Sequence, residues 1–276
     1  MTKISWTDES WNPVVGCTKI AAGCKNCYAE RMAHRLASMG KEGYCHVTTR
    51  DGKWNGNIYH VFNNVLDKPL HWRKPRKIFV CSMSDLFHVA VPFEFIDKVL
   101  GIIALRPQHT FQILTKRPER MSEYFNGLRD DPAQAQRLSF GGCCMDHKHG
   151  IAMTYRRKGH LKNLWLGTSI STQADADKNI PILLQIPAAV RFISVEPMLE
   201  SIVFGKAFLR YIDWVIIGCE SGPKRRPCGL EWIENVVRQC TEANVPVFVK
   251  QMEIGGKVSK KMEEWPEWAQ RQEYPG

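Results

Sequence analysis

Short runs of β-branched and aromatic residues recur along the chain between longer stretches whose apolar residues fall at helical spacing. The runs predict strands over residues 11–15, 77–81, 110–114, 164–167, 191–194, 214–217 and 247–250. Helices are predicted over 28–39, 93–105, 175–186 and 230–243, and in the last of these Trp232, Val236, Val237 and Cys240 fall on one face. Strands alternating with helices build βα units and a parallel sheet, which at this chain length points to an α/β fold, a partial or full parallel (β/α) barrel of the TIM type. Residues 1–250 are expected to form the barrel and 251–276 a C-terminal tail.

Each predicted strand runs directly into polar or charged residues. The first leads into a cysteine-bearing loop, and the others into SMSDLFH, TKRPERM, TSIST, VEPMLES, CESGPKRRP and KQ. In such barrels the loops at the carboxyl ends of the strands carry function, so these segments are expected to share one rim. The rim would hold three acids, Asp85, Glu196 and Glu220, and six bases, Lys116, Arg117, Lys224, Arg225, Arg226 and Lys250. Any one of them could instead be a helix cap or a solvated charge, and for Ser84 and Asp85 a cap is at least as good a reading. Ser82, Ser84 and Asp85 could hold the amino group of a cofactor through charge-assisted hydrogen bonds. Glu196, in SVEP, could accept from a ribose or an amine; the competing reading is a structural ion pair with Lys250 or Lys116.

The loop after the first strand reads GCTKIAAGCKNCYAERMA, with Cys17, Cys24 and Cys27 spaced C-x6-C-x2-C. Three thiolates can hold three irons of a [4Fe–4S] cube, and without a fourth local cysteine one iron is left open. A fully ligated metal has nowhere to bind a substrate, so an open position separates a reactive centre from a structural one. Three cysteines with a free iron is the arrangement of enzymes that chelate S-adenosylmethionine and cleave it to a radical. Their commonest spacing is C-x3-C-x2-C, of which the C-x2-C half is kept here, with Tyr28 just beyond it. A zinc knuckle lacking a nearby ligand, or three ordinary buried thiols, are the competing readings.

Ten cysteines without regular spacing do not form a disulfide framework. No run of eighteen apolar residues appears and the N-terminal MTKISWTDES lacks a secretory signature, so a cytoplasmic protein with reduced thiols and no membrane partner is expected. Lys and Arg exceed Asp and Glu by 38 − 28 = 10, a positive field that draws polyanions. The basic groups HWRKPRK, TKRPER, YRRKGHLK and GPKRRP, several with an aromatic neighbour, suit phosphate binding with weak sequence preference. Walker and dinucleotide glycine patterns are absent, as is a nucleophile elbow, so hydrolase chemistry is unsupported.

Residues 139–160 interrupt the βα pattern. Cys143, Cys144, His147 and His149 would supply four metal ligands on paper, but adjacent cysteines bind one tetrahedral ion awkwardly; a substrate loop is the stronger reading.

Taken together, WNPVVGCTKIAAGCKNCYAERMA, CSMSDLFH, LTKRPERM, LWLGTSI, ISVEPML, IIGCESG and VFVKQ resemble, in this order, a phage- and bacteria-encoded three-cysteine family. That family was long catalogued as of unknown function and is related to the radical S-adenosylmethionine enzymes. The resemblance implies a radical-SAM-like partial barrel, a [4Fe–4S] cluster on Cys17, Cys24 and Cys27, S-adenosylmethionine as cofactor, and a flavodoxin-like or ferredoxin-like electron donor. Residues 139–160 look like an insertion relative to the family, whose members usually carry two glycines where this chain has Gly218 and Cys219. Ser82, Ser84, Asp85, Ser169 and Glu196 are the expected cofactor contacts, and Lys116, Arg117, Arg225 and Lys250 the expected substrate contacts. The expected activity is an isomerase- or lyase-type radical reaction on a nucleobase or base substituent in phage DNA, in the host cytoplasm if phage-encoded. One concrete version is rearrangement of an amino-acid-substituted thymine. A repair lyase for damaged bases and a non-catalytic zinc-dependent nucleic-acid-binding protein are the alternatives.

Overall fold

A computed structural model describes residues 4–61, 64–130 and 159–276. Most of the segment 139–160, including Cys143, Cys144, His147 and His149, lies outside the described residues. The chain divides into two compact units. The first comprises Met1–Thr18, Ala29–Leu166 and Ile186–Ala189, and the second Lys19–Tyr28, Gly167–Gln185 and Val190–Gly276.

In the first unit the strands β1 (Glu9–Trp11), β4 (Lys77–Val80) and β5 (Thr110–Thr115) pair in parallel in that order. The strand predicted over 11–15 is two strands. Trp11 pairs with Val80, whereas β2 (Val14–Val15) leaves that sheet to pair antiparallel with β3 (Tyr59–His60). Pro13 divides them, since it has no N–H for a ladder and its fixed φ turns the chain; its carbonyl accepts from Val61 N at 2.8 Å. The helices are α1 (Tyr28–Ser38, whose first residue belongs to the second unit), α2 (Phe93–Ala104) and α3 (Pro118–Asp130). Sequence periodicity leaves α3 unassigned, yet Met121, Tyr124, Phe125 and Leu128 recur at helical spacing and are all buried, with Pro118 at the first helical position.

Strand β6 (Leu164–Ile170) begins in the first unit and ends in the second. There β7 (Val190–Val195), β8 (Trp214–Gly218) and β9 (Val247–Ile254) pair in parallel, and β10 (Lys257–Ser259) adds to β9 antiparallel. The helices are α4 (Gln173–Leu184), α5 (Lys206–Leu209) and α6 (Leu230–Glu242). Thr172 starts α4 with a capping box, its hydroxyl accepting from Asp175 N while the Asp175 carboxylate accepts from Thr172 N. Every residue of β8 is buried, which is why it reads as a continuous apolar run instead of alternating. The buried face of α6 is Ile233, Val236, Val237 and Cys240; Trp232, expected on it, is half-buried, because the 233, 236, 237, 240 series keeps the helical period more closely.

Residues 251–276, read from the sequence as a tail, supply the end of β9, all of β10 and a packed closing segment. Trp265 is buried, Trp214 Nε1 donates to Glu273 O at 2.8 Å, and Tyr274 stacks on Trp214 at 5.3 Å between centroids. The strands are thus mainly parallel, as expected. A full barrel is not what is observed: β1 has β4 as its one neighbour in the sheet and β10 has β9, so both end strands are edges among the described residues.

Candidate functional site

In the first unit, β2 leads into Gly16, whose φ of +96° suits glycine. A Cβ there would stand 2.3 Å from Asn57 O and 2.8 Å from Val47 Cγ1. The Gly16 carbonyl accepts from Ser84 Oγ at 2.7 Å and its N–H donates to Met83 O at 3.2 Å, so the turn before Cys17 is fastened to the loop after β4. Ser82 Oγ donates to Asn12 Oδ1 at 3.1 Å. Ser82 and Ser84, two of the three serines expected to meet a cofactor, therefore have partners on the stretch Asn12–Gly16.

Asp85 is buried and accepts from four donors. Its Oδ1 takes Thr115 Oγ1 at 2.7 Å and Phe87 N at 3.0 Å; its Oδ2 takes Lys116 N and Arg117 Nη1, each at 3.0 Å. Arg117 also donates through Nη2 to Thr18 O at 3.1 Å and Thr18 Oγ1 at 2.8 Å, and its Nη1 lies 3.9 Å from Cys17 Sγ. Burial works against the Arg117 charge, but Asp85 and Cys17 outweigh it and raise the pKa further. His88 completes the cluster. Its Nδ1 accepts from Ala90 N at 3.1 Å, which leaves the proton on Nε2, 2.9 Å from Thr18 Oγ1. Burial, then the Arg117 charge, lowers its pKa and keeps the ring neutral.

The second unit holds Cys24 and Cys27. Glu220, two residues past β8, is 3% exposed; its Oε2 accepts from Asn26 Nδ2 at 2.8 Å, Arg226 N at 2.8 Å and Arg226 Nε at 3.1 Å, and its Oε1 pairs with Arg226 Nη2. Burial pushes this carboxyl up, but the hydrogen bonds from Arg226 and Asn26 win and hold it below the usual range. Arg226 Nη1 donates to Ala22 O at 2.9 Å. Gly23 packs where a Cβ would come within 2.2 Å of Ser171 Oγ.

Glu196 and Lys250 form an ion pair at 2.7 Å, the structural alternative of the two readings of Glu196. Lys250, predicted to close its strand, lies inside β9. Ile217 pairs with Val249 and Gly218 with Gln251, so Lys250 is the extra residue of a β-bulge, a device that re-aims a side chain. A Cβ on Gly218 would stand 2.7 Å from Glu196 Oε1, so glycine leaves the space the carboxylate uses. Ser169 Oγ donates to Glu196 O at 3.2 Å. Arg225 reaches Gly256 O and sits 3.9 Å from Glu253. Cys219, at the position that departs from the usual glycine pair, is buried, and burial followed by the Glu253 and Glu196 charges pushes its thiol up to about 12.

Cys24 is buried, and Cys17 and Cys27 are half-buried. Among the described residues no group of three or more His, Cys, Asp or Glu is gathered closely enough to hold a metal. As a donor set the loop fits an iron–sulfur cluster: three soft thiols, and Arg117 as a hydrogen-bond donor to the first of them. Sequence reasoning named Glu220 and Arg226 only as rim charges and missed Thr18, Asn26 and His88. The signal for Asn26, its place inside C-x2-C, is visible in the sequence; its partner lies far away along the chain.

Mainly parallel α/β units with polar loops after the strands define the class of protein. The family model described as "Protein of unknown function (DUF5131)" matches residues 1–276, and the chain belongs to that family. No curated protein matches it. Among solved structures, "Spore photoproduct lyase complexed with dinucleoside spore photoproduct" is similar at 9% identity and a TM-score of 0.40, covering 91% of this chain and 68% of that one. No helix among the described residues is long and apolar enough to cross a membrane.

Proposed function

We propose that this protein is a radical S-adenosylmethionine enzyme acting on a nucleobase, or on a substituent of one, in DNA. The observation that carries the reading is the donor set: three cysteines in one short loop, with the C-x2-C pair intact and no fourth cysteine in the loop. Cys17, Cys24 and Cys27 would hold a [4Fe–4S] cluster. The chemistry supplied by that group when bound is one-electron cleavage of S-adenosylmethionine to methionine and a 5′-deoxyadenosyl radical, the electron coming from a flavodoxin-like or ferredoxin-like donor.

The hydroxyls of Ser82, Ser84 and Ser169 and the Glu196 carboxylate are the proposed contacts for the cofactor. Lys116, Arg225 and Lys250 are the proposed contacts for substrate phosphates. Asp85, filled by four protein donors, and Arg117, spent on Asp85 and Thr18, are left out of both sets. DNA is favoured by the net charge of +10 and by basic groups with aromatic neighbours, and a target base in a duplex would have to be exposed before a radical could reach it. Rearrangement of an amino-acid-like substituent on a modified thymine is the concrete version proposed.

The test is anaerobic reconstitution with iron and sulfide, followed by dithionite and S-adenosylmethionine. 5′-Deoxyadenosine is expected, with more of it when DNA is added. Cys24→Ala should lose the brown absorption at about 400 nm that thiolate-ligated iron gives. About one zinc and no iron per chain would overturn the reading in favour of a zinc-dependent binding module. Liquid chromatography with tandem mass spectrometry of DNA nucleosides with and without the gene separates rearrangement, which gives a nucleoside of unchanged mass but altered retention and fragmentation, from repair, which removes a lesion and leaves the ordinary base.

A further inference from the structure

We infer that Glu220 and Asp85 are positioning residues for the cysteine loop, each acting through an arginine. The loop passes from the first unit to the second between Thr18 and Lys19, and each unit holds its own part. In the second unit, Asn26 lies between Cys24 and Cys27 and uses both hydrogens of its amide nitrogen, one on Glu220 Oε2 at 2.8 Å and one on Lys224 O at 2.7 Å. Arg226, fixed on the same carboxylate, reaches Ala22 O at 2.9 Å. One buried carboxylate thus holds the chain on both sides of Cys24, and at Gly23 the packing leaves no room for a Cβ, which would come within 2.2 Å of Ser171 Oγ. In the first unit, Asp85 fixes Arg117, which holds both oxygens of Thr18 and approaches Cys17 Sγ.

A carboxylate offers about four lone-pair directions. Glu220 receives donors from Asn26 Nδ2 and from Arg226 N, Nε and Nη2, and Asp85 from Phe87, Thr115, Lys116 and Arg117. Asp85 carries two donors on each oxygen, Glu220 is buried with four donors on its carboxylate, and Arg117 is committed to Asp85 and Thr18. Their task is the one such groups perform around metal ligands: ordering the ligand segment before the metal arrives, so that less conformational freedom is lost on binding.

The metal readout of this inference rests on the proposed cluster; the loop readout does not. The probes are Glu220→Gln, Asn26→Ala and Arg226→Lys in the full chain. Hydrogen exchange of the amides over residues 17–28 is followed by mass spectrometry in metal-free protein, and anaerobic iron titration is followed by absorption and electron paramagnetic resonance. All three variants should keep the wild-type circular dichroism, exchange faster in the loop, and bind iron about 10–100-fold more weakly with an altered resonance signal. Lysine should not rescue, because it lacks the guanidinium fork. Unchanged loop exchange and iron affinity in Glu220→Gln and Asn26→Ala would overturn the inference. Asn26→Ala, at a half-buried surface position, decides the matter if Glu220→Gln does not fold. Wild-type protein that takes up no iron would defeat the cluster reading, while the exchange rates would still decide the positioning role.

Discussion

Replacing Asp85 by asparagine keeps shape and volume while removing the charge from a buried ion pair, so it isolates the electrostatic part of the first unit's cluster. The side chains of Arg117 and Asp85 are 12% and 7% exposed, too little for water to replace the lost partner. With the amide nitrogen placed at Oδ1, the Thr115 hydroxyl can rotate to accept from it, but Phe87 N–H is left facing a donor. An orphaned buried N–H costs about 1–3 kcal/mol. With the nitrogen at Oδ2, two donors, Lys116 N–H and Arg117, lose their acceptor, so the first orientation should be taken. Arg117 then keeps a neutral acceptor in place of a charged one. Breaking a buried pair while leaving one charge behind costs about 3–5 kcal/mol, and because the orphaned N–H belongs to the same event, the whole loss should fall within that range. Urea unfolding of wild type, Asp85→Asn and the double variant Asp85→Asn/Arg117→Met measures it. The single variant should lose about 3–5 kcal/mol and the double variant should regain part of the loss, since removing both charges leaves none uncompensated. A loss below about 1 kcal/mol in the single variant would show that the pair is screened like a surface bridge, and the reasoning would fail.

Gly16→Ala should cost about 2–5 kcal/mol, from roughly 1–2 for a left-handed non-glycine residue and roughly 1–3 for forcing its methyl group against Asn57 O and Val47; denaturant melts would show it, and a neutral result would mean the turn can move. Lys250→Met should cost about 1–3 kcal/mol by leaving the Glu196 carboxylate without its charged donor, and Lys250→Met/Glu196→Gln should cost less than the single change in the same assay. Acidification should destabilise the protein. Burial is the first cause holding His60, His88 and His109 below the ordinary histidine range, so the unfolded chain binds more protons once pH falls below about 6.5. The stability these rings contribute is present above that pH and is lost as pH falls through their folded values; a urea midpoint that stays flat or rises from about pH 7.5 to about pH 5.5 would contradict this.

The sequence by itself determined strands β4 to β9, though not β3 or β10, and most of the helices, because a buried parallel strand must be apolar throughout, as in WVIIG, and a one-sided helix must repeat near every 3.6 residues, as over 233, 236, 237 and 240. The grouping of Cys17, Cys24 and Cys27 in one short loop is legible there too, since it resides in residue type and short spacing. The sequence misjudged the first strand, where a single proline outweighed the apolar run around it, and it passed over α3, whose signal was present. What only the tertiary structure decided is the partnership of charges. Asp85, Arg117, Glu196, Glu220, Arg226 and Lys250 all read as rim charges, the first three and Lys250 as expected ligand contacts. Whether a charge faces a ligand, a solvent or another charge depends on which loops the fold brings together, and bonds such as Asn26 to Glu220, 194 residues apart, leave no periodic trace along the chain. The bulge at Lys250 is of the same kind: one extra residue in one strand, visible only against the register of its neighbour, turned an expected substrate contact toward Glu196.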